Sequence, residues 1–309
     1  MKKNVVLRTV KFDLELDEED IVYRNITISN SNGCPENLVV ALKCVEEECG
    51  SRTAYNKNEF KSKYVIYGEK VLPGEFPWQV KVSCEGLLCG GSVIKSRWVV
   101  TAAHCVVVFG AAFRPSQCLI SVGSVFLRDS NWIMLKPDFI YVHQHYNEKT
   151  LDNDIALLRL SRKLGYSSLV RNICLPRKEH HPGRFPVCVA SGFGRTVQDK
   201  VSNALLQTRM IIRSNCPGFP GLTHGVICIG THSGSRYPNV CMGDSGGPLE
   251  CKASHEDRWT LFGIHSFVAG GSNSSQKLSE YCQTSFATDV YFFVEWIDKT
   301  IKSHKIKKN

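Results

Sequence analysis

The chain has 309 residues, 43% hydrophobic and 22% charged, with a formal net charge of +9. Those values are ordinary for a globular protein, and the length suits one large domain with an appendage or two modest domains. The positive excess lies in the tail "KSHKIKKN" and near residues 57–70, without a basic stripe interleaved with aromatics, so nucleic acid is not an expected partner. What remains is a solvated basic surface with some affinity for anionic glycans.

In chain order, the opening "MKKNVVLRTVKFDLELDEED" starts basic but has a short apolar run followed at once by acids. That is not the pattern of an export signal. Alternation in "NLVVALKC" predicts a strand or two. From Val65 onward the texture is all-β. Short Val-, Ile-, Leu- and Phe-rich runs recur between turn residues, among them "FPWQVKVSC", "RWVVTAA", "DIALLRL" and "WTLFGIHSF". Strands at that spacing imply a barrel or sandwich. "WVVTAAHCVVVFGAAF" is too short for a confident membrane span and has His104 at its centre, so it reads as a buried strand leading into a short helix. The chain ends on "VYFFVEWIDKTIKSHKIKKN", where Phe292, Phe293, Trp296, Ile297 and Ile301 are expected on one helical face docked to the barrel.

Fourteen cysteines are scattered from Cys34 to Cys282. They are not clustered as CxxC pairs, which argues against zinc ribbons and thioredoxin-like sites. An even, dispersed set fits a disulfide framework made in an oxidising compartment. Sequons at Asn25 and Asn273 agree with secretion. Extracellular cysteines without an export pattern lead us to expect an incomplete N-terminus, with any membrane anchor upstream of this chain.

Three motifs carry chemistry: "VVTAAHC" with His104, "DNDIALLRL" with Asp154 and "CMGDSGGP" with Ser245. A serine hydroxyl is a poor nucleophile until an imidazole takes its proton and a buried carboxylate orients that imidazole. The order His, Asp, Ser matches one convergent arrangement of this triad. Gly243 and Ser245 can turn their backbone N–H groups toward one point as an oxyanion hole, and a side chain at Gly243 would obstruct that. Each motif alone has a plainer reading: a core histidine, a turn cap, a tight loop. The three in order on an all-β, cysteine-rich chain leave little room for it. The pairs His143–His145 and His180–His181 do not make a metal site: the first belongs to a turn before Asp154, the second to a Pro-rich loop. No cofactor or metal is expected.

Over residues 65–309 the chain resembles the trypsin-like serine proteases in "PGEFPWQV", "CGGSVI", "TAAHC", "DNDIALL", "CVASGFG", "CMGDSGGP" and "FVEWI". The resemblance implies an all-β fold of two six-stranded β-barrels with a C-terminal helix and the triad between the barrels. It implies bridges Cys89–Cys105, Cys188–Cys251, Cys216–Cys228 and Cys241–Cys282. Cys84 and Cys118 are extra, on segments that should be neighbouring strands, and a fifth bridge is predicted there. Residues 1–64 form a stem whose "CPENLVVALKCVEEECG" resembles the end of a scavenger-receptor cysteine-rich domain. That domain precedes the protease in type II transmembrane serine proteases, and it implies that Cys49 tethers the stem to Cys174. Cys34 and Cys44 are left to pair with each other or remain free.

Carried over position by position, the resemblance puts Asn239 at the floor of the primary specificity pocket and Ser266, Val268 and Ser285 among its substrate-binding residues. An asparagine dipole is a much weaker partner for a buried cation than a carboxylate. Val268 narrows the slot. Small or medium uncharged P1 residues are therefore expected. Activation is expected by a cut between Tyr64 and Val65, after which the new amine at Val65 pairs with Asp244. Tyr64 is not a basic residue, so the activating protease should be chymotrypsin-like. Protein or peptide substrates and macromolecular inhibitors complete the expected partners. The alternative is a non-catalytic homologue that acts as a binding protein or decoy.

Overall fold

The computed structural model describes residues 49–52, 68–177, 187–196, 200–213, 225–230, 240–252, 258–269 and 284–306. They belong to one compact unit that begins at Cys49. Of the expected stem, only Cys49–Arg52 is described.

The first sheet is built from β2 (Gln79–Cys84), β3 (Leu87–Lys95), β4 (Trp98–Thr101), β7 (Cys118–Val122), β8 (Ile133–Leu135), β9 (Pro137–Val142) and β10 (Ala156–Leu160). Its order is β8-β7-β2-β3-β4-β10-β9, and the strands pair antiparallel. β2 shows why the sequence makes a strand. Val80, Val82 and Cys84 are buried while Lys81 and Ser83 between them are half-exposed, the period of two that puts alternate side chains on opposite faces. β7 approaches β9, so the sheet curls on itself. A small hairpin, β5 (Val107–Val108) and β6 (Ala111–Ala112), leaves this body just after His104.

The second sheet contains β1 (Glu69–Lys70), β11 (Val187–Gly192), β12 (Leu206–Arg213), β13 (Val226–Gly230), β14 (Pro248–Lys252), β15 (Trp259–Ala269) and β16 (Thr284–Asp289). Its order is β1-β12-β11-β14-β15-β16-β13, and β13 pairs back onto β12. That last pairing closes six strands into a barrel, with β1 as a short edge. A closed barrel leaves no row of unpaired edge groups on those six strands.

The sheets meet where β3 faces the segment before β14. A Cβ on Gly90 would lie 2.7 Å from the Cα of Gly247, so only glycine allows the two backbones so close. The Gly90 N–H donates to the Ser245 carbonyl at 2.7 Å across that contact. The "CGGS" and "SGGP" glycines thus bring the sheets together beside Ser245.

Helix α1 (Val290–Ile306) follows β16, lies against β15, and places His304 against Trp98, Phe139 and Tyr141 of the first sheet. Val290, Phe293, Ile297 and Ile301 are buried and Trp296 is partly buried against the same core. Phe292, expected on that face, is 55% exposed. It precedes Phe293 by one residue, about 100° around the helix, and so points away from the i, i+4, i+8 stripe. His143 packs its ring against Phe293 and Trp296, at centroid distances of 5.3 and 5.1 Å. "HQHYN" therefore forms part of the helix-docking surface.

Disulfides join Cys49–Cys174, Cys84–Cys118, Cys89–Cys105 and Cys188–Cys251. Cys84 and Cys118 stand directly opposite each other in the β2–β7 register. Cys228 and Cys241 are also disulfide-bonded; Cys216 and Cys282, their expected partners, lie outside the described residues. Gly50 and Arg52, next to Cys49, dock onto this body. The Gly50 N–H donates to Asn172 at 2.8 Å, and its carbonyl accepts from Trp259 at 2.9 Å. The Arg52 guanidinium lies 4.1 Å from the Phe76 ring centroid and 3.8 Å from that of Trp259, a stacked cation–π arrangement.

Candidate active site

His104 sits in a short 3-10 turn, Ala103–Cys105, that follows β4. The turn is pinned by the Cys89–Cys105 disulfide. Asp154 lies immediately before β10, which pairs with β4, so the two residues are neighbours across one strand pair. The Asp154 carboxylate, 1% exposed, accepts the His104 backbone N–H at 2.9 Å through Oδ1. Its Oδ2 lies 2.8 Å from His104 Nδ1. This directs Nδ1 to the carboxylate and leaves Nε2 on the opposite side of the ring. Burial works against a charged His104, but the Asp154 charge and hydrogen bond outweigh it, and the imidazole pKa lies above its ordinary value.

Two further hydroxyls hold Asp154. Ser266 on β15 donates to Oδ2, and Thr288 on β16 donates to the Asp154 backbone carbonyl at 2.8 Å. Sequence reasoning placed Ser266 with the substrate and did not single out Thr288. Both lie more than a hundred residues from Asp154 in the chain, so no local motif could announce these contacts.

Ser245 sits on a tight turn. The Asp244 N–H donates to the Cys241 carbonyl at 3.0 Å, and the Gly247 N–H to the Asp244 carbonyl at 2.9 Å. Gly243 has φ +96°, a left-handed conformation that glycine alone adopts readily. A Cβ on Gly246 would come within 2.2 Å of Thr101 Oγ1 and 2.6 Å of the Gly90 carbonyl. The serine turn is thus wedged under the β4 corner that leads into His104. Among the described residues, no acceptor engages the backbone N–H of Gly243 or Ser245.

The Asp244 side chain is half-buried. It accepts N–H groups from Gly194 at 2.7 Å and Cys241 at 2.9 Å. Burial pushes its pKa up to about 6, against the opposing effect of those two hydrogen bonds. No described cation lies within ion-pair distance of it.

A cleft of about 220 Å³ opens beside Ser245, lined by Val240, Cys241 and Met242 on one wall and by His265, Ser266, Phe267, Val268 and Phe286 on the other. Phe267 and Phe286 stack with centroids 4.4 Å apart. Met242 stands at the mouth, 44% exposed. Ser285 sits opposite Val268 on β16, and its hydroxyl donates to the Val240 carbonyl at 3.3 Å. Asn239, Tyr64 and Val65 lie outside the described residues. One group of potential metal ligands occurs among the described residues, Cys89, His104 and Cys105, but its two sulfurs are joined in a disulfide and offer no thiolate.

The Trypsin family profile matches residues 65–297. The chain belongs to the trypsin family. Human transmembrane protease serine 5 is 34% identical over 282 residues, covering 87% of this chain and 56% of that protein. The atrial natriuretic peptide-converting enzymes of human and mouse are 30% and 31% identical, covering 88% and 92% of this chain but 25% and 24% of themselves. The trypsin-family chain therefore spans between about a quarter and just over half the length of these relatives. No helix among its described residues is long and apolar enough to cross a membrane.

Proposed function

We propose that this chain is a serine endopeptidase acting through an acyl-enzyme on Ser245. His104 takes the proton from Ser245 and returns it to the leaving amine. Asp154 holds the imidazole in the productive tautomer and stabilises it when charged. The N–H groups of Gly243 and Ser245 receive the oxyanion. The observation that carries this reading is the bidentate hold of Asp154 on His104, by backbone and ring together, beside the wedged serine turn.

The chain is made as a zymogen. A chymotrypsin-like protease cuts between Tyr64 and Val65, and the new amine of Val65 enters to pair with Asp244. Support comes from the half-buried Asp244 carboxylate, held by two backbone donors without a described counter-ion. A paired cation would restore its charge. Cys49–Cys174 keeps the stem, residues 1–64, attached to the catalytic domain, residues 65–309, after the cut. Small or medium uncharged P1 residues are preferred, because Val268 and the Phe267–Phe286 stack narrow the cleft. The protein works outside the cell. Its partners are protein or peptide substrates, the activating protease and macromolecular inhibitors, with a membrane link only through a segment upstream of this chain.

A fluorophosphonate probe tests the activity. After cleavage at Tyr64–Val65, Ser245 should be labelled, and Ser245→Ala or His104→Ala should abolish labelling. No labelling under any activation condition would support the non-catalytic binding protein instead.

A further inference from the structure

We propose that His265 is a specificity-determining residue, which selects substrates with an uncharged hydrogen-bonding P1 side chain, the amide of Gln or Asn, over apolar side chains of the same size. The inference rests on the reading of the Ser245 cleft as a peptidase site.

His265 lies on β15, in the apolar run "LFGIHSF", one residue before Ser266. Its side chain lines the cleft beside Ser245 and is 2% exposed. Neither ring nitrogen has a hydrogen-bond partner. The Pro248 carbonyl approaches the ring without meeting hydrogen-bond geometry. An imidazole buried in this way costs the fold free energy that an apolar residue of similar size would not. The backbone of His265 is fully engaged, its N–H on the Gly247 carbonyl at 2.9 Å and its carbonyl on Gly246 at 2.7 Å, and these bonds would form with any side chain.

The other polar side chains of the lining are already committed. The Ser266 hydroxyl donates to Asp154, and the Ser245 hydroxyl is the proposed nucleophile. The rest of the described lining is apolar or sulfur-bearing: Val240, Cys241, Met242, Phe267, Val268 and Phe286. Of the described lining, His265 alone has polar capacity left for a P1 side chain. Burial pushes its pKa down to about 4, so at neutral pH it offers one N–H donor and one lone pair. A primary amide has the matching acceptor and donor. A carboxylate or guanidinium would bring an uncompensated charge into the same apolar surroundings. Both ring nitrogens are buried and unpartnered, so engaging a P1 amide requires the ring to turn about its broad χ2 torsion.

The test is a P1 series on the full chain after cleavage at Tyr64–Val65, with Gln, Met, Asn, Leu, Ala, Glu and Arg at P1 and the rest of the peptide fixed. Gln should exceed its near-isostere Met in kcat/KM by about tenfold or more, the discrimination expected when a buried polar group would otherwise stay unpaired. His265→Leu should bring Gln and Met to within about twofold of each other, a ratio read within one protein and so unaffected by any general loss of activity. His265→Asn, which keeps a hydrogen-bonding side chain, should retain part of the preference. Ser245 labelled by fluorophosphonate, together with Met equal to Gln, best turnover after Glu or Arg, or a Gln/Met ratio unmoved by His265→Leu, overturns this proposal and leaves the peptidase reading standing. An unlabelled Ser245 with no member of the series cut overturns both.

Discussion

At the scale of single residues, Glu250 is a buried, perturbed carboxyl group that the proposed mechanism does not use. It lies on β14, fully buried, and accepts the Trp78 indole N–H while its Oε1 lies 2.7 Å from Ser191 Oγ. Ser191 Oγ is also 3.0 Å from Gln79 Oε1. One hydroxyl proton cannot serve two acceptors. If Glu250 is protonated, it donates to Ser191, Ser191 donates to Gln79, and each oxygen has a partner. Burial pushes the Glu250 pKa up to about 8, although the Trp78 and Ser191 hydrogen bonds and the Arg52 charge oppose the rise. The native state then holds a proton that the unfolded chain has released. Stability must fall as pH rises from the ordinary glutamate value toward 8. Glu250→Gln removes that titration. It should gain on the parent protein steadily between pH 5 and 8.5, by on the order of a few kcal/mol at the upper end, since one pKa unit corresponds to about 1.4 kcal/mol. Urea unfolding at several pH values measures this, and a constant difference between the two proteins would refute it. "GGPLEC" reads as an ordinary strand start, and only burial makes its glutamate unusual.

At the scale of elements, local patterns were legible where one periodicity ruled. β2 forms within the expected run "FPWQVKVSC", and the terminal helix forms where "VYFFVEWIDKTIKSHKIKKN" predicted it. The helix face was read one residue too wide. Phe292 and Phe293 are equally apolar in sequence, and only the position of the first sheet decides which ring is covered. Phe293→Ala should therefore cost about 3–4 kcal/mol, the usual loss for emptying a buried aromatic site. Phe292→Ala should stay within about 0.5 kcal/mol. Denaturant midpoints at unchanged slope test the pair, and equal losses would mean the helix docks differently. The β5–β6 hairpin shows a device the sequence hid. Phe109 and Gly110 both take positive φ at its tip, a two-residue turn of the kind hairpin twist favours. The Glu148 carboxylate accepts both of their N–H groups, at 3.0 and 2.7 Å. "VFGA" is a weak turn signal, and its clamp comes from the separate loop that leads to Asp154.

At the scale of the whole molecule, the site depends on how closely two sheets approach. Gly90 and Gly247 touch backbone to backbone, so a single methyl there must separate the sheets or distort the serine turn. Gly90→Ala should lower stability by about 1–3 kcal/mol as an overpacked contact and slow Ser245 labelling far more than that loss accounts for. Labelling at the parent rate would show that the sheet contact does not position the nucleophile. By itself the sequence singled out the residues proposed for catalysis and their order, and determined the all-β texture, the terminal helix and the glycines of the serine turn. Each of these is written in neighbouring residues, through backbone conformation and short periodicities. Only the tertiary structure decided that Ser266 reaches Asp154, that Glu250 and His265 are buried, and that Arg52 stacks between Phe76 and Trp259. Hydrogen-bond partners and burial are set by segments distant in the chain, and the free-energy cost of a buried polar group exists only once those segments have closed over it.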